Sequence, residues 1–224
     1  MIAIASWLLA LPPASVQAQS VCGRIGEGSV TTGPYDYRTD RKEVEFIEGN
    51  HFQPQVQALI GGVSGRIGDE LNYLLTHVPN DHKALLVLMT YGEKLKWAPA
   101  PGLRYSYECY YERALRWRND DAIAHMIYAT YLNKFARTKE ALEQLAYASK
   151  LPEATGFTQY NIGLIYLDMK QYELALAQAQ KAQALGFERA ELRDGLKAVG
   201  KWRESPQATT NAAASEPAAS AVKP

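Results

Sequence analysis

Few residues in this sequence combine a reactive side chain with the spacing that chemistry requires. The four histidines are His51, His77, His82 and His125. His77 and His82 face each other across the Pro79-Asn80 turn at a separation that matches no metal-ligand pattern. The histidines read as solvated or capping side chains, and neither a metal nor a cofactor is expected. Ser64 in Gly62-Val63-Ser64-Gly65-Arg66 fails as a nucleophile elbow, because Arg66 stands where glycine is needed. Gly23-Arg24-Ile25-Gly26 recurs as Gly65-Arg66-Ile67-Gly68. The first copy, with Gly23, Gly26 and Gly28, has the wrong glycine spacing for a phosphate loop. The second lacks the Lys-Ser/Thr that such a loop requires. Cys109 as a nucleophile would need a nearby base, and none is identifiable. Cys22 as a lipid anchor would need a lipobox, which Gln19-Ser20-Val21 does not resemble. No catalytic residue is expected. The 14 tyrosines are mostly accounted for by packing, with Tyr107, Tyr111, Tyr128, Tyr131 and Tyr166 at or beside core positions.

Residues 1 to 20 carry no charged side chain. Ile2 to Leu11 form an apolar run, Pro12 and Pro13 break it, and Val16-Gln17-Ala18 offers small-residue cleavage geometry. This resembles a secretory signal peptide over residues 1–18, although no Lys or Arg precedes the run. The run is too short to cross a bilayer, which takes about 20 apolar residues, and no other stretch could span one. Two cysteines in an exported chain pair, so a Cys22–Cys109 disulfide is expected. Basic and acidic residues balance at 24 each, which leaves no basic footprint for nucleic acid. After residue 18 the chain is long enough for one domain with a sizeable core.

The coarse organisation follows from breakers and periodicity. Residues 19–40 are irregular and Gly-rich. Asp40, with Glu43 as capping-box partner, is expected to start a helix through Glu48. Pro54 opens a second one that Gly61 and Gly62 stop. Leu71, Leu74, Leu75 and Val78 mark a third over Asp69–His77. Together residues 41–80 read as an N-terminal helical cap. Residues 81–121 carry an insertion at 96–104, where Pro99, Pro101 and Gly102 forbid a helix. Residues 190–203 read as a C-terminal capping helix. Residues 204–224, rich in Ala, Ser, Pro and Thr, bury too little to order and read as a disordered tail.

Residues 122–155 and 156–189 are two units that superimpose at a fixed 34-residue offset. Ala129 falls on Gly163, Ala141 on Ala175, Leu145 on Ala179 and Ala148 on Ala182. Within the second unit, Gly163 is followed by Tyr166, and Ala175 opens the next helix. This resembles the tetratricopeptide repeat (TPR). The signature positions are Ala129, Ala141, Gly163, Tyr166, Ala175 and Ala182. Gln159 and His125 stand at the family's usual tryptophan, Ala179 at its phenylalanine, and Phe187 and Glu153 at its closing proline. The resemblance implies an all-α, right-handed helical solenoid of about three helix pairs (81–121, 122–155, 156–189) with capping helices at both ends. It also implies a concave groove lined by Met89, Met126, Thr130, Asn133, Tyr160, Leu164 and Leu167. Met89, Met126, Tyr160 and Leu164 would make an exposed apolar strip, unless Phe46, Ile47 and Phe52 fold back over it. The function implied is a non-enzymatic, exported and periplasmic protein-interaction module whose partner is another protein or peptide of the envelope. The alternatives are an enzyme, or an enzyme-associated regulatory subunit, using the N-terminal Gly-rich segment, and a structural subunit of an envelope complex.

Overall fold

A computed structural model describes residues 22–26 and 32–204. The expected signal segment and all but the first residue of the expected tail lie outside these. The described chain is all-α. It forms ten helices and, among the described residues, no strand. They are α1 (Arg41–His51), α2 (Pro54–Gln57), α3 (Ile67–His77), α4 (His82–Lys94), α5 (Tyr107–Trp117), α6 (Ala122–Lys134), α7 (Thr138–Ala148), α8 (Gly156–Asp168), α9 (Tyr172–Ala184) and α10 (Ala190–Ala198). None of them is long and apolar enough to cross a membrane. The chain divides into two compact units, Met1–Tyr131 and Leu132–Pro224, and the boundary falls inside α6. The sequence marks no break there.

In the first unit α1 packs on α3, α3 on α4 and α4 on α5, around Val44, Phe52, Leu71, Leu74, Leu85 and Leu88. Asp81 starts α4 by accepting the Ala84 N–H at 2.9 Å. Asp121 does the same for α6, accepting from Ile123 and Ala124 at 3.1 Å each. Such caps satisfy N–H groups that the helix itself leaves open. Asp40 does not cap α1 with its side chain; its carboxylate accepts the Asp36 N–H at 2.7 Å instead. The stop after Pro54 also differs from expectation. The helix ends at Gln57, and Leu59, with φ 55°, turns the chain before Gly61 is reached.

In the second unit α8, α9 and α10 pack against one another. Gly163 sits at their closest approach, where an added Cβ would meet Leu192 Cδ2 at 2.5 Å and Ala175 O at 3.5 Å. Ala141, Tyr166, Ala175 and Ala182 are all buried here. Gln159 is buried and hydrogen-bonded. Its amide donates to Ser149 O at 3.0 Å and accepts the Ser149 hydroxyl at 2.9 Å. Lys181 closes on the same serine carbonyl at 2.7 Å. This is a buried polar anchor whose groups are paired with one another.

Candidate functional site

The residues singled out for possible chemistry make the following contacts. Cys22 and Cys109 form a disulfide and both are buried. Around it, Arg113 donates to the Cys22 and Arg24 carbonyls at 2.9 Å each, and Arg116 to the Gly23 carbonyl at 3.0 Å. The bridge and two guanidinium groups therefore pin residues 22–24 onto α5. Cys22, Cys109 and Glu112 bring three metal-ligand atoms within 4.8 Å of one another. Two of the three are sulfurs bonded to each other.

Each histidine makes at least one hydrogen bond. His77 Nδ1 bonds the Tyr73 carbonyl at 2.8 Å, while its Nε2 is buried without a hydrogen-bond partner among the described residues. His82 Nε2–H donates to the Asp121 carboxylate at 2.8 and 3.0 Å. Asn80 joins Asp121 to Asp36 through its amide at 2.8 Å each, and Arg38 and Arg118 pair with Asp36 at 2.9 Å. Burial alone would push the Asp36 carboxyl up. Hydrogen bonds from Arg38 and Asn80 outweigh it and hold the pKa at about 2. This cluster clasps the segment before α1 onto the starts of α4 and α6, with the Tyr37 ring 4.7 Å from that of His82. His51 donates to Glu70 at 2.8 Å. Glu70 also accepts the Val63 and Ser64 N–H groups at 2.9 and 2.8 Å, with the Ser64 hydroxyl at 3.3 Å. Glu70 thus holds Ser64 on one oxygen and His51 on the other, and no direct Ser64–His51 hydrogen bond is seen among the described residues. His125 Nε2–H donates to the Asn119 carbonyl at 2.9 Å.

The expected apolar strip is not open. Met89 is 5%, Met126 7% and Tyr160 5% exposed. The Tyr160 ring packs on Phe187 at 5.3 Å, and its hydroxyl donates to Glu191 at 3.3 Å. α10 and the loop before it thus use Tyr160 as core. Thr130, Asn133, Leu164 and Leu167 are half-buried. The Thr130 hydroxyl donates back to Met126 O at 3.0 Å, and the Leu167 side chain lies against Gly195. Of the residues proposed as a cover, Ile47 and Phe52 are buried, whereas Phe46 is 74% exposed.

The insertion builds what the strip does not. Lys96 and Trp97 turn the chain out of α4 with φ of 52° and 61°, a conformation that costs on the order of 1–3 kcal/mol per non-glycine residue. Packing of the Trp97 indole holds it there. An added Cβ at Gly92 would meet Trp97 Cζ3 at 2.3 Å, so only glycine lets the ring lie on the α4 backbone. Tyr107 and Tyr131 meet the indole edge-on at 5.3 and 5.5 Å. The Tyr107 hydroxyl donates to Ala98 O at 3.1 Å. Farther along, Pro101 closes on Gly68, and the Arg104 N–H reaches the Tyr110 hydroxyl at 3.1 Å. The result is a cleft of about 380 Å³ lined by Trp97, Pro99, Ala100, Leu103, Arg104, Tyr105, Ser106 and Tyr107. Tyr105 is backed by Arg113, 4.7 Å over its ring, and by Gly23, where a Cβ would meet its hydroxyl at 2.6 Å. By contrast, the cavity beneath Tyr160, Phe187 and Trp202 is about 20 Å³, room for one water. The sequence located the insertion through Pro99, Pro101 and Gly102 but singled out none of its residues as a site. Trp97 beside Gly92 was the missed signal, and its meaning depends on the close approach that only the fold shows.

Neither a family model, nor a curated protein, nor a solved structure matches this chain.

Proposed function

We propose that this protein is a non-enzymatic, exported interaction module, periplasmic in setting, built from TPR-like helix pairs, and that its insertion cleft receives a segment of another envelope protein. The observation that carries this is the anchored aromatic cleft. A 380 Å³ recess is within the size range of binding pockets, about 300–1,000 Å³, and its apolar walls with a few polar groups fit their usual make-up. Its strained entry turn and its fixation on α3, α4 and α5 hold its shape in advance, which lowers the cost of binding. The disulfide supports the exported setting. The buried carboxylates and histidines support a non-catalytic role, because their hydrogen bonds are directed into packing.

A photo-crosslinking residue placed at Pro99 or Leu103, and irradiated in the native compartment, should capture a discrete protein partner identifiable by mass spectrometry. The same probe at exposed Lys150 should not. Equal capture at all three positions, or none at Pro99 and Leu103, would overturn the assignment.

A further inference from the structure

We infer that Arg113 and Arg116, beneath Tyr105, form a binding site for one small tetrahedral oxyanion, phosphate or sulfate taken up as the free ion. The site is independent of what the cleft receives, although Tyr105 borders both. The observation behind it is a surplus of buried donors. Arg113 is 1% exposed. Its Nη1 donates to the Cys22 and Arg24 carbonyls at 2.9 Å each, while Nε and Nη2 are buried without an acceptor among the described residues. Arg116 donates from Nη1 to the Gly23 carbonyl at 3.0 Å and from Nη2 to the Cys22 carbonyl at 3.5 Å. Its Nε is likewise buried and unpaired. The Tyr105 hydroxyl is a third such group. These groups converge. Both guanidinium groups reach the one Cys22 carbonyl oxygen, and a Cβ on the adjacent Gly23 would meet the Tyr105 hydroxyl at 2.6 Å.

The charges are as uneven as the hydrogen bonds. Neither Arg113 nor Arg116 forms an ion pair among the described residues; their acceptors are carbonyls. Glu112, on the same helix, sets its Oε2 3.2 Å from Cys22 Sγ instead. Arg104 adds a third guanidinium, 5.5 Å from the centroid of the Tyr105 ring that Arg113 approaches at 4.7 Å. Burial, helped by the Arg116 and Arg104 charges, pushes the Arg113 pKa down against the pull of Tyr105 and Tyr110. A buried cation is costly unless a counter-charge pairs with it, and carbonyl dipoles supply only part of that. An oxyanion supplies the rest. Guanidinium forks match its oxygens in pairs, and the Tyr105 hydroxyl has a proton to donate to another. Burial also sets the ligand's size. A guanidinium this enclosed is out of reach of a phosphorylated chain or a lipid headgroup, whereas a free ion needs only a swing of the Tyr105 ring to enter. Once bound, it would fasten residues 22–24 to α5 alongside the disulfide.

The test uses the full chain with its disulfide intact, purified free of phosphate and titrated with sodium phosphate, sodium sulfate or sodium chloride at matched ionic strength. Wild type should melt at a higher temperature in phosphate or sulfate than in chloride. Calorimetry should count one phosphate per chain, and sulfate should compete with it. Arg116→Gln should weaken phosphate by about 10-fold or more, as loss of a charged hydrogen bond does. Tyr105→Phe removes a hydroxyl that has no partner, so its melting temperature in chloride should equal or exceed that of wild type. Its phosphate-induced rise should nevertheless be smaller. Equal melting of wild type in the three salts, with no heat of binding, would overturn the site without recourse to any variant. Unchanged phosphate affinity in either folded variant would overturn its placement between these side chains. Displacement of phosphate by phosphatidylglycerol vesicles but not by sulfate would overturn the free ion as the ligand.

Discussion

At the scale of single residues, Asp81 has the most exposed consequence. It is fully buried, with one oxygen capping α4 and the other, Oδ2, unpaired among the described residues. Burial first, then the negative charge of Glu48, push its pKa up to about 7 against the pull of the Ala84 N–H and Lys83. Glu48 is itself gripped by Lys83 at 3.1 Å, and Lys83 lies over the Tyr37 ring. A folded-state pKa above the unfolded one, ordinarily near 3.8, means the folded chain holds this proton more tightly. The associated stability is complete below the unfolded value and is lost as pH rises through about 7. Thermal stability should therefore fall as pH rises from 5 to 8. Asp81→Asn keeps a cap and should flatten the slope. An unchanged slope would show that the histidines, not Asp81, set it. The lowered carboxyls Asp36, Glu70 and Asp121 act in the other direction, losing stability only at lower pH.

Tyr160 shows where residue-level reading stops. An aromatic on one face of a helix looks the same in sequence whether solvent or another helix faces it. Here Phe187 and Glu191 meet it, so Tyr160→Ala should cost about 3–5 kcal/mol of stability, as large core truncations do. Denaturant unfolding measures this directly. A loss below 1 kcal/mol would return Tyr160 to the surface.

At the scale of elements, the insertion was legible as a location and not as a site. Proline and glycine forbid a helix between α4 and α5 whatever the tertiary context. The cleft, however, depends on Trp97 lying against Gly92, and a lone glycine inside a helix carries no message until its neighbour is known. Gly92→Ala should therefore expel the indole, since a Cβ would sit 2.3 Å from Cζ3. The expected result is a changed near-ultraviolet dichroism signal, a loss of stability of about 1–3 kcal/mol typical of overpacking, and weaker ligand capture. A variant that keeps the wild-type aromatic signal would show that the loop can move aside without cost. The sequence singled out Gly163 as a small residue, and it stands at a close approach of helices, where an added Cβ would meet Leu192 at 2.5 Å. The Ser149–Gln159–Lys181 anchor was not legible, because polar pairing has no period.

At the scale of the whole molecule, helical content followed from 3.6-residue periodicity, which is local. The division into two compact units inside α6 was not legible, because it is set by long-range packing on either side of one continuous helix. The disulfide gives this division a measurable consequence. Both of its cysteines lie in the first unit, 87 residues apart, and a loop of that length restricts the unfolded chain strongly, by about 4–5 kcal/mol on the chain-entropy model. Reduction, or the double variant Cys22→Ser/Cys109→Ser, removes that restriction from the first unit alone. It also frees residues 22–24 from α5 and loosens the Tyr105 wall. Amide hydrogen exchange should then show protection lost in α3, α4 and α5, by a factor corresponding to about 2–4 kcal/mol. Protection in α8 and α9 should stay close to that of the oxidised protein. Equal loss in all five helices would mean that the two units unfold as one, and loss confined to α8 and α9 would contradict the placement of the bridge.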